Sequence, residues 1–232
     1  MQFIESSVIG LRAAVITMGR RTTPLRFVLF PMVHVGERSF YDEVAARASS
    51  CDLIVAEGGP SDGAPMQRRM AGLRWDGLVD QMVALDLEAL GVPIIWEGGT
   101  AEPPEERARR RAERSPRDRI VHTALDSAAA LALRALGRYG DPRDLPSLDQ
   151  NDMHDRERPE GRIDRFLDRK VGEERDERLV RTLGTVHRER YQEPIKVAVV
   201  WGAAHMTAVV DVLRRDFRYY VQDAEWITIQ NN

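Results

Sequence analysis

The stretch "PIKVAVVWGAAHMTAVVDVL" (194–213) decides the fold. It begins with a continuous apolar run through Trp201, passes three small residues, Gly202, Ala203 and Ala204, and reaches His205. An amphipathic stretch follows at 206–217. An uninterrupted apolar strand, without alternation, is the mark of a strand buried on both faces of a parallel sheet. The chain therefore turns from strand to helix at a histidine. A second stretch, "FVLFPMVHVGERSF" (27–40), places His34 in the same relative position.

Working outward, "LRAAVITMG" (11–19) and "LRFVLFPMVH" (25–34) read as two strands joined by a polar turn. Phe40, Val44 and Ala48 recur at helical spacing within 38–50. "CDLIVAEGG" (51–59) and "VPIIWEGG" (92–99) are short apolar strands, each ending in Glu-Gly-Gly. Residues 68–91 carry a helical pattern closed by Gly91. Residues 101–120 read as a solvated helix, 122–140 as an Ala/Leu-rich helix and 171–191 as a charged helix. Residues 218–230 supply one or two closing strands. Strands alternating with helices predict an α/β fold: a mixed, mostly parallel sheet covered by helices on both faces. We expect one domain over 1–232, with a mobile loop at 141–162, which is polar, Pro-bearing and aperiodic.

Composition narrows the function classes. The chain has 232 residues and a net charge of -3, so no overall basic field favours nucleic acid. Cys51 is the only cysteine, which rules out an intrachain disulfide and thiolate metal clusters. The start "MQFIESSVIG" lacks the pattern of a secretory signal, and no apolar window reaches membrane-spanning length. We expect a soluble, cytoplasmic protein with no membrane partner.

In open parallel sheets, ligands bind beyond the carboxyl ends of the strands. His34, Glu57, Glu97 and His205 all fall there, delivered from distant parts of the chain. Two histidines with carboxylates suit a divalent metal that activates water. They equally suit a neutral histidine base oriented by a carboxylate. The bland alternative is that each residue satisfies backbone groups at a turn. Small residues before His205 permit close approach of a ligand. His122, His154 and His187 read as surface residues, and Trp96 and Trp201 as core.

These residues resemble the TraB/Tiki superfamily, which includes pheromone-shutdown proteins and Tiki metalloproteases and is distantly similar to ChaN-like and erythromycin-esterase-like proteins. "GAAH" (202–205) matches the family's second GxxH motif, and "PMVH" (31–34) stands for the first, with Pro31 in the Gly position. "DLIVAEGG" (52–59) matches the segment bearing the family's Glu, here Glu57. "EERDERL" (173–179) looks like the ERD-type helix before the last strand and puts Arg175 near the pocket. "ALGVPIIWEGG" (89–99) looks like the segment ending in an acidic residue, with Glu97 for the usual Asp and no following Arg. The resemblance implies a metal-dependent hydrolase of a peptide or amide-like bond. His34, Glu57, Glu97 and His205 would be metal ligands for Mn, Co or Zn. His34, Glu57, His205 and Arg175 would be the catalytic set, Arg175 binding a substrate carboxylate. The alternatives are a metal-independent, esterase-like enzyme with a His base, or a protein that only binds a small anion or peptide.

Overall fold

A computed structural model describes residues 1–58, 77–97 and 173–231. The element order is β1 (Ile4–Ser7), β2 (Gly10–Arg20), β3 (Thr23–Met32), β4 (Val35–Glu37), α1 (Arg38–Ala48), β5 (Leu53–Ala56), β6 (Leu78–Asp80), α2 (Gln81–Ala84), β7 (Ile94–Trp96), α3 (Glu173–Arg190), β8 (Lys196–Gly202), α4 (Met206–Arg215) and β9 (Tyr220–Asn231). Short 3-10 turns occupy Glu88–Leu90 and Ala203–His205.

Seven strands form one mixed sheet. Four of them, β3, β8, β5 and β7 in spatial order, are parallel. β2 joins antiparallel beside β3, and β1 and β9 pair antiparallel with β2. β4 and β6 make a separate two-stranded ribbon. The α/β expectation holds in this frame. Central β8 is buried from Val197 to Trp201, as its continuous apolar run requires.

Alternation along the strands divides the core in two. Val197, Val199 and Trp201 of β8, with Leu53 and Val55 of β5, pack with Leu179, Leu183 and Val186 of α3 and with Met206, Val209 and Leu213 of α4. Ala198 and Val200, with Ile54 and Ala56, pack with Phe40, Tyr41, Val44 and Ala48 of α1. Successive strand residues point to opposite faces, so α1 lies against one face and α3 and α4 against the other. The connection that leaves β3 and the one that leaves β8 therefore run on opposite faces. The gap between these two neighbouring strands is a topological switch point, the place where such sheets bind ligands.

The sequence expectations differ from the structure in two places. Residues 77–91, expected as part of a helix over 68–91, form β6, the one-turn α2 and a 3-10 turn. Pairing decides this: Val35 to Glu37 capture Leu78 to Asp80, and the Asp80 carboxylate caps the next turn by accepting from Met82 N at 2.8 Å. Gly91, at φ 69°, does close the 3-10 turn in a left-handed conformation. The second difference is two short strands, β1 and β4, which the sequence did not suggest. Residues 68–76, 101–120, 122–140 and the loop at 141–162 lie outside the described residues, as do His122 and His154.

Candidate functional site

The four parallel strands end on one line. Met32 is in register with Gly202, Ala56 with Val200, and Ala56 with Trp96. The residues that follow are His34, His205, Glu57 and Glu97. All four rim residues read from the sequence thus stand at the carboxyl edge of the sheet.

Pro31 sits near the end of β3, in register with Trp201. It lies beyond Leu29, the last β3 residue paired with β2. Past that point one edge of β3 has no β2 neighbour, so a missing N–H there costs no ladder bond.

Helix α3 leads into β8 and runs antiparallel to it. Its first turn therefore reaches the carboxyl rim, and its last turn reaches the opposite end. That geometry delivers Arg175, Asp176 and Arg178 to the site. Arg175 Nη2 stands 2.7 Å from Glu57 Oε1 and 2.8 Å from Glu97 Oε2. Arg178 Nη2 stands 2.7 Å from Glu97 Oε1. Glu97 also accepts from Gly58 N at 3.3 Å, which ties the ends of β5 and β7 together. Glu57 Oε2 accepts from Gly202 N at 2.7 Å and so locks β5 to β8. Two guanidinium groups and two carboxylates make a balanced network. Burial pushes the Glu97 carboxyl up, but hydrogen bonds from Arg175 and Arg178 outweigh it and hold the carboxyl below its ordinary value. Burial likewise opposes the charge on Arg175, and Glu97, Glu57 and Asp176 more than restore it.

His205 lies at the join between β8 and α4. Its Nδ1 is 2.7 Å from Asp176 Oδ1. An ionised carboxylate can only accept, so in the neutral imidazole Nδ1 carries the hydrogen and Nε2 presents its lone pair. A Cβ built on Gly202 would come within 3.1 Å of Glu57 Oε2 and 3.5 Å of His205 Cδ2. Glu57 and the imidazole therefore flank the same glycine, and a side chain there would crowd the Glu57 carboxylate. The Trp201 ring lies 6.5 Å from that of His205, edge to face, and its buried indole N–H has no partner among the described residues.

His34 is exposed, and its contacts run elsewhere. Its carbonyl accepts from Gln81 N at 2.8 Å. The preceding carbonyl, Val33 O, accepts from the buried Tyr41 hydroxyl at 3.0 Å. These two bonds pin the β3–β4 turn. Burial pushes the Asp80 carboxyl above its ordinary value, and the Met82 N–H and the nearby His34 hold it back in part. The structure thus joins Glu57, Glu97, Arg175 and Arg178 in one network, sets the His205–Asp176 pair beside it across Gly202, and leaves His34 beside Asp80.

Asp176, Arg178 and Asp80 were missed in the sequence. Asp176 and Arg178 had a usable signal, because a helix leading into a parallel strand presents its first turn at the carboxyl rim. His187, read as a surface residue, is in fact buried, with Nδ1 3.1 Å from the Tyr219 hydroxyl.

The described residues do not fit the implied metal. Both oxygens of Glu97 are engaged by arginines, and both of Glu57 by Arg175 and Gly202 N. Among the described residues, no three His, Cys, Asp or Glu side chains converge as a ligand set. Nor is any described helix long and apolar enough to cross a membrane.

Compared with known proteins, the chain matches no family model, no curated protein and no solved structure.

Proposed function

We propose that this protein hydrolyses an ester or amide bond in a peptide or small molecule, with His205 as the general base. The observation that carries the reading is the 2.7 Å contact between His205 Nδ1 and Asp176 at the end of the central strand. An imidazole held in one tautomer, with no partner on its other nitrogen among the described residues, is equipped to take a proton from water and return it to a leaving group. Asp176 orients the ring and stabilises the imidazolium that forms. Arg175 and the half-exposed Arg178 would bind a substrate carboxylate in their planar forks once it displaces Glu57 or Glu97, which hold those forks in the free protein. Glu57 positions Arg175 and the Gly202 backbone. His34 stands across the switch point as a second proton-transfer group.

Kinship with TraB/Tiki proteins is part of this proposal, supported by His34, Glu57 and "GAAH" at 202–205. So is a cytoplasmic location with a soluble substrate, supported by the single cysteine and the small net charge. The proposal departs from that family's metal chemistry because the carboxylates are already spoken for by arginines.

The test is turnover on ester and peptide panels, with and without chelator. His205→Ala should lower kcat/KM by about 10²–10⁴-fold, the usual worth of a general base, without changing the melting temperature. Asp176→Asn should act on kcat and leave KM nearly unchanged. Wild-type turnover in both variants would overturn the assignment. Activity abolished by chelation and restored by Mn, Co or Zn would replace it with the metallohydrolase reading.

A further inference from the structure

The end of the sheet opposite the rim carries chemistry that the proposed reaction does not use. The β2–β3 turn and the segment leading into β9 meet there. Gly19 is in register with Tyr220, and Arg20 Nη1 donates to the Phe217 carbonyl at 2.8 Å. Between them is a pocket of about 370 Å³ lined by Arg20, Arg21, Thr22, Arg218 and Tyr220. That volume lies within the range of small-molecule sites.

Three of the five lining residues are arginines and none is acidic. Arg20 is fixed: it bonds the Phe217 carbonyl, and its guanidinium lies 5.7 Å from the centre of the Tyr191 ring. Arg21 and Arg218 are exposed, and among the described residues neither forms an ion pair. Three guanidinium groups gathered in a lining with no acidic side chain repel one another, and an anion relieves that repulsion.

Arg218 adds an independent observation. It is the one non-glycine residue with positive φ among the described residues, at 61°. It stands just past α4, where Tyr219 N returns to Leu213 O at 2.8 Å. Glycine or asparagine is the ordinary occupant of such a helix end, because a side chain there is strained. Here Arg218 takes that conformation and lines the pocket. Strain of this kind concentrates at ligand sites.

We infer that this pocket binds a phosphate monoester attached to a flat ring, of which a nucleoside monophosphate is the simplest example. The phosphate would sit among Arg20, Arg21 and Arg218, whose planar donors match its oxygens. Thr22 offers a hydroxyl donor. The exposed Tyr220 ring gives the base a stacking surface, which explains why the pocket is larger than a bare phosphate needs.

Calorimetric titration of the full chain with adenosine monophosphate, inorganic phosphate and adenosine tests this. The monophosphate should bind at least about tenfold more tightly than either fragment, as expected for joined charge and stacking contacts. Arg218→Gly should abolish that advantage while leaving the melting temperature unchanged or higher, because glycine accepts the left-handed conformation. Arg21→Ala should weaken binding without touching the backbone strain. Equal affinity for phosphate and the monophosphate would overturn the ring assignment. No binding at millimolar concentration, or binding indifferent to Arg218→Gly, would overturn the site.

Discussion

Glu97→Gln tests the charge network most directly. The substitution keeps the side chain's size and removes its charge. Glu97 is only 12% exposed and accepts from Arg175 at 2.8 Å, from Arg178 at 2.7 Å and from Gly58 N. Hydrogen bonds to charged groups are worth about 1.5–3 kcal/mol, whereas exposed ion pairs are worth about 0–1 kcal/mol. Arg175 is 27% exposed and keeps Glu57 as a partner, so its loss falls at the low end of the first range. Arg178 is 43% exposed and turns to water, so it belongs to the second range. The sum is a loss of about 2 kcal/mol. For a chain of 232 residues that corresponds to a fall of about 4–8 °C in melting temperature.

The pH dependence gives a second handle. The Glu97 carboxyl is held below its ordinary value in the folded state. Its stabilisation is therefore fully present above the unfolded value of about 4.3 and is lost as pH falls through the lower folded value. Thermal melts at pH 7 should show the full gap between wild type and variant. Melts in progressively stronger acid, below about pH 4, should show it closing. A variant that melts within a degree of wild type at pH 7, or a gap that survives acidification, would refute the reasoning.

Gly202→Ala should disturb the site more than the fold. The new methyl, 3.1 Å from Glu57 Oε2, shifts that carboxylate by a few tenths of an ångström and weakens its bond from Gly202 N, at about 1 kcal/mol in stability. Paired melting and turnover measurements should show a small thermal shift and a large fall in kcat. Tyr41→Phe leaves the buried Val33 carbonyl without its donor and should cost about 1–3 kcal/mol in denaturant unfolding. It should also lower turnover by freeing the His34 turn, and an unchanged unfolding midpoint would count against that role.

Within the described residues most of the strand and helix pattern was legible in the sequence, because burial on both faces writes itself as uninterrupted apolar runs. β8 was read over 194–205 and stands at Lys196–Gly202; α3 was read over 171–191 and stands at Glu173–Arg190. The placing of Glu57, Glu97, His34 and His205 at one rim was legible too, since it follows from their positions just after such runs. Residues 77–91 were not legible. Their short apolar segments fit a helix equally well, and only pairing with β4 selected strand.

Sequence alone thus determined the long elements of the described residues, the parallel core and the rim. Tertiary structure decided which rim residues meet. Strand order is invisible in a linear pattern: β8 inserts between β3 and β5, and nothing in its apolar run specifies its neighbours. Insertion puts Gly202 beside Glu57 and aligns α3 so that Asp176 reaches His205 and Arg175 bridges two carboxylates. It also sets His34 against Asp80, on the ribbon rather than in the network. Local propensity acts through neighbours along the chain, whereas these contacts join residues far apart in it, and only the packed sheet brings them within hydrogen-bonding distance.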